Sequence, residues 1–114
     1  MFQRALSVSG GGGAEWITPT LSNGNKTATC SWDYDADTII VLYSYNNVKC
    51  VHMYDLSLGC WFANETSGGY WQSYSPVNWI TLTARSLVFN CPQNFAMTNV
   101  TVIPIKGKPN GYFA

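Results

Sequence analysis

Charge is scarce in this sequence. Of 114 residues only 11% are Asp, Glu, Lys or Arg, six of each sign, and the formal net charge at pH 7 is zero. Soluble domains ordinarily carry about 25%. Neither sign forms a run, which removes the field that would draw nucleic acid or an anionic membrane. Histidine is rarer still. His52 stands alone, so a multi-histidine metal site is excluded and any Ser-His or Cys-His catalytic pair must use it. The longest apolar-rich stretch, within Thr38–Tyr45, is far short of the roughly 18 residues that crossing a bilayer needs. The opening residues show no charged segment followed by a long apolar one, so no secretory leader is expected. No segment has a helical period, and no repeat of fixed length recurs.

What is present is short, alternating and aromatic. Aromatic residues reach 15%, with five Trp and seven Tyr. With so little charge, the surface must be built from Ser, Thr, Asn, Tyr and Gly, which suits uncharged ligands such as glycans, or contact with identical subunits. Phe2, Arg4, Leu6 and Val8 alternate with smaller or polar residues, as in a strand with one buried face. Gly10–Gly13 follows. Four glycines in a row predict a tether, so Phe2, Leu6 and Val8 read as an assembly arm attached to the body.

The body begins near Glu15–Ile17. Ala28, Cys30 and Trp32 share one side of a strand, and Asp33–Asp37 forms a loop. Thr38–Tyr45 is a continuous β-branched and aromatic run, expected as a central strand covered on both faces. Asn46–Asn47 supplies a two-residue turn into an alternating strand over Val48–Asp55. Further strands are predicted at Cys60–Ala63, Tyr70–Tyr74, Val77–Thr83, Leu87–Asn90 and Asn94–Ile105. The chain therefore reads as all-β: a single antiparallel, jelly-roll-like β-sandwich with a glycine-tethered N-terminal strand. The expected division is an arm and linker over 1–13, a sandwich domain over 14–107 and a tail over 108–114.

Candidate chemistry is thin. The four cysteines, Cys30, Cys50, Cys60 and Cys91, match neither a zinc nor a redox spacing, and buried free thiols are preferred over two disulfides. His52 falls mid-strand, where a hydrogen-bonded or surface histidine is the ordinary case. Asp33, Asp35 and Asp37 have the spacing that opens a calcium loop, but Thr38 and Ser44 occupy the positions of its glycine and bidentate glutamate. These acids are expected to cap a turn. Asp55 and Glu65 are the one carboxylate pair a glycosidase reading could use. No metal and no cofactor is expected, and the chain is read as non-enzymatic.

Recognition is better supplied. Trp61, Phe62, Tyr70, Trp71, Tyr74 and Trp79 are interleaved with amides and hydroxyls, the pairing that stacks on a sugar ring and bonds its hydroxyls. Tyr70, Trp71, Tyr74, Asn64 and Gln72 are the candidate ligand-binding residues. Single-stranded nucleic acid would also stack, but no Lys or Arg lies between Cys50 and Asn78 to track its backbone.

The glycine run, the strand Thr38–Tyr43, Tyr54–Asp55 on the hairpin return, the late pair from Ile80 to Phe89 and the closing Val100–Gly107 together resemble a family. It comprises small β-sandwich proteins encoded in phages and prophages of Gram-positive gut bacteria, of the tail-fibre or head-fibre type. The resemblance spans residues 1–107 and departs from the family in the extra cysteines and the 108–114 tail. It implies a homo-oligomer, a trimer by preference, located in the virion among other virion proteins and contacting bacterial surface glycans. The alternatives are a small cell-wall glycan hydrolase and a purely structural decoration protein.

Overall fold

The computed structural model describes residues 13–56, 60–65, 72–74, 79–92 and 94–107, with the backbone alone described at 13, 60–65 and 72–74. Among these residues ten strands make two antiparallel sheets: β1 Gly13–Ala14, β2 Thr20–Ser22, β3 Thr27–Ser31, β4 Thr38–Tyr45, β5 Val48–Asp55, β6 Cys60–Glu65, β7 Gln72–Tyr74, β8 Ile80–Thr83, β9 Ser86–Asn90 and β10 Thr98–Lys106. The order is β1-β10-β4-β5-β6-β7 in the larger sheet and β2-β3-β9-β8 in the smaller. The described residues hold no helix, and the two sheets pack as a β-sandwich.

Local sequence sets the turns. Asn46 and Asn47 take φ of 46° and 64°, the left-handed pair that a two-residue hairpin needs to match strand twist. Asn23, Gly24 and Asn25 do the same between β2 and β3. Asparagine tolerates this region because its short amide can bond the local backbone. Asn99, at φ 53°, marks a slip in register of β10 against β4 between Thr98 and Thr101. Pro104 is accommodated in β10 because that strand's other edge pairs with β1 only at Ile105 and Lys106 and with Ile17 at Val102.

Alternation then builds the core. Ile39, Val41 and Tyr43 of β4, Cys50 and His52 of β5, and Val100 and Val102 of β10 meet Ala28, Leu87 and Phe89 of the smaller sheet. Trp32, Ala36, Cys91 and Met97 close the ends from loops. The strand β4 is central, as expected, but its two sides are unequal. Ile39 and Val41 are fully buried against the second sheet, whereas Ile40 and Leu42 on the other side are half-buried.

Several boundaries differ from those read in sequence. The closing strand starts at Thr98, not Asn94, because Asn94 takes φ 61° and donates to the Cys91 carbonyl, while Met97 docks through its N–H on Asn25. Of the expected Val77–Thr83 strand the described part is Ile80–Thr83, and of Tyr70–Tyr74 it is Gln72–Tyr74. Among the described residues sheet pairing begins at Gly13, inside the glycine run. The arm residues Phe2, Leu6 and Val8 lie outside the described residues, as does the tail 108–114.

The Asp33–Asp37 loop laces the two sheets together at one end. Trp32 and Ala36 donate their N–H groups to Arg85 and Ala84 in the β8–β9 turn, and Asp37 donates to Ile105 of β10. Asp37 Oδ2 accepts from the Gly107 N–H at 2.7 Å. Asp35 pairs with Arg85 at 2.8 Å on the surface, and this guanidinium holds its carboxyl below the usual carboxylate range. Asp35 and Asp37 are thus committed to structure. No cluster of three or more metal-ligating side chains occurs among the described residues.

Candidate functional site

The smaller sheet turns one side to the core and the other outward, and strand parity decides which residues go where. Ala28, Leu87 and Phe89 are buried, so their neighbours Thr27, Thr29, Ser31, Ser86, Val88 and Asn90 face away. The same parity places Thr20 and Ser22 of β2 and Thr81 and Thr83 of β8 on that outer side. Ten residues result, eight of them Ser or Thr and none charged.

Register arranges them in three rows. Ser22, Thr27 and Asn90 stand side by side, then Thr20, Thr29, Val88 and Thr81, then Ser31, Ser86 and Thr83. The outer rows bond internally: Thr27 Oγ1 donates to Asn90 Oδ1 at 2.8 Å, and the Thr83 and Ser86 hydroxyls are hydrogen-bonded to each other at 2.7 Å. In the middle row Thr20, Thr29 and Thr81 are exposed around the apolar Val88. At the usual strand spacings this field covers roughly 14 Å by 14 Å, or about 200 Å². That is well below the roughly 800 Å² per partner of a stable protein interface. Beside it, where β2 meets β10, an open groove of about 390 Å³ is lined by Thr18, Pro19, Leu21, Asn99, Val100 and Thr101. It too carries no charge.

No known family, curated protein or solved structure matches this chain. Its chemistry must be read from the residues themselves.

His52 is not placed to act as a general base. It is 3% exposed, and its Nε2 lies 2.9 Å from the Tyr43 hydroxyl, with the Phe89 ring at 5.3 Å and the Trp79 ring edge-on at 5.7 Å. Burial among rings disfavours the charged form and holds its pKa down to about 3. The same burial pushes the Tyr43 hydroxyl far above its ordinary value, so the pair stays neutral. Cys30, Cys50 and Cys91 are free thiols, and burial raises Cys30 to about 11, away from nucleophilic character at neutral pH. Asp55 and Glu65 sit at opposite ends of the β5–β6 ladder, where Asp55 faces Cys60 and Glu65 faces Cys50. Five residues along a strand separate these positions by about 17 Å, against the roughly 5–9.5 Å between carboxylates that flank a glycosidic bond.

The candidate aromatic segment is described in part. Tyr74 stands opposite Trp61 and Gln72 opposite Ala63 at the β7 edge. Their rows continue through Tyr54–Ile39 and His52–Val41, whose described members face the core. Asn64 stands opposite Val51, in the row of Leu42 on the other side of the sheet. Tyr70 and Trp71 lie outside the described residues. Trp79 is half-buried against the core. The hydroxyl field was missed in sequence, although Thr27, Thr29 and Ser31 alternate with Ala28 and Cys30, a visible signal of a polar outer face.

Proposed function

We propose that this chain is a non-catalytic binding module of a phage or prophage appendage, and that it meets neutral bacterial surface glycans with the hydroxyl face of its smaller sheet. The observation that carries this reading is the ten-residue outer field, eight hydroxyls strong and free of charge. Each hydroxyl both donates and accepts, so it complements sugar hydroxyls without desolvating a charge, while the threonine methyls and Val88 offer apolar contact to ring C–H groups. The buried, neutral His52 and the separated Asp55 and Glu65 support binding without turnover. Within this reading the protein works in the virion, as a homo-oligomer with a trimer favoured, next to other virion proteins. An array of neutral cell-wall and capsular glycans tests it. Binding that disappears in Thr29→Glu is expected; an array silent for the wild-type protein would sink the proposal.

A further inference from the structure

The larger sheet also has an outer side, and it carries an apolar stripe beside the buried Thr38 and Asp55 of the Ile105 row. Ile105, Ile103, Ile40, Met53, Leu42 and Val51 stand in adjoining register rows and face away from the second sheet. Ile103 is 4% exposed and Ala14 of β1 is 8% exposed, as buried as the core, yet both lie outside the cluster that the two sheets enclose. Chain path indicates the cover. The strand β1 pairs with Lys106 and Ile105 on the margin of this face, and twelve residues precede it. Among them Phe2, Leu6 and Val8 fall, with Arg4, on alternate positions.

We infer that the outer side of the larger sheet is the seat of the chain's own N-terminal arm, with Phe2, Leu6 and Val8 laid on the stripe around Ile103, Ile40 and Met53. The lengths agree. Ser9–Gly12 can span about 13 Å, enough to turn back from the sheet margin, and the seven residues from Phe2 to Val8 reach about 23 Å. The face from β1 to β6 is four strand spacings, about 19 Å. A linker only four residues long keeps the arm at an effective concentration near millimolar, which favours its own sheet over a neighbour's. This inference is independent of the glycan reading.

Arg4 provides the readout, because it lies within the arm and trypsin cuts after it only when the arm is free. In the full-length protein, cleavage at Arg4–Ala5, followed by mass spectrometry, is expected to be at least about ten-fold slower than in a synthetic peptide of residues 1–12, equivalent to about 1.4 kcal/mol of docking. Leu6→Asp, and separately Met53→Lys on the half-buried stripe, should each restore the peptide's rate. Protection should be the same at high and low protein concentration. Cleavage as fast as in the peptide, or protection that survives both substitutions, would overturn the inference. Protection lost on dilution would assign the face to a neighbour's arm, and a face exposed by removing 108–114 would assign it to the C-terminal tail; either overturns it as well.

Discussion

Acidification should destabilise this fold through one histidine. His52 is held neutral by burial, with a pKa lowered from 6.5 to about 3. The unfolded chain binds a proton at this site below pH 6.5 and the folded chain does so only near pH 3, so the unfolded state gains protons first and stability falls as pH drops across that window. The slope is 1.36 kcal/mol per pH unit, which makes the loss about 2.7 kcal/mol at pH 4.5 and on the order of 4–5 kcal/mol by pH 3. A domain of this size has roughly 5–15 kcal/mol in total. Asp35, held low by Arg85, pushes the same way, but only below its ordinary value of 3.8, so its contribution falls outside pH 4.5 to 7. Urea unfolding at half-unit steps over that range measures the effect. The Tyr43→Phe/His52→Phe double variant removes both members of the buried hydrogen bond and should flatten the slope. Equal slopes in wild type and double variant would refute the assignment.

Three further outcomes are expected. Asn47→Ala forces a β-carbon without a compensating amide into φ 64°, and should cost about 1 kcal/mol in urea midpoint, whereas Asn47→Gly should cost little. Asp37→Ala removes the acceptor of the Gly107 N–H and loosens the end of β10, for about 1–2 kcal/mol by the same assay. Cys30, raised from 9.0 to about 11, favours the fold as a neutral thiol, so stability should decline as pH climbs from 9 towards 11, and labelling by a thiol reagent at pH 8 should be much slower in the folded than in the unfolded protein.

The parts of this fold that depend on near neighbours in sequence were legible there. The Val48–Asp55 alternation and the Asn46–Asn47 turn specify a hairpin on their own, and the structure pairs Tyr45 with Val48 and Thr38 with Asp55. The parts that depend on distant neighbours were not. Nothing in the sequence announces that β10 lies between β1 and β4, or that β3 and β9, some sixty residues apart, join in register from Thr27–Asn90 to Ser31–Ser86. Aromatic density drew attention to Trp61–Trp79 because it is local. The hydroxyl field is assembled from β2, β3, β8 and β9, two distant segments whose threonines become a surface only once the strands are paired. Asn94 shows the limit of pattern alone: it sits in a β-rich stretch, but a turn anchored on Cys91 and a contact with Asn25 hold its neighbours out of the ladder.

Calorimetric titration of a neutral oligosaccharide selected on the array, against wild type, Thr29→Lys, Thr81→Lys and Tyr74→Ala, bears most directly on the proposed function. The two lysines place charge and bulk in the middle row without touching the core, since both threonines are exposed. Affinity should fall at least about ten-fold in each threonine variant, a loss of about 1.4 kcal/mol, and should persist in Tyr74→Ala. Unchanged affinity in both lysine variants, with loss in Tyr74→Ala, would contradict the account and return the site to the aromatic segment.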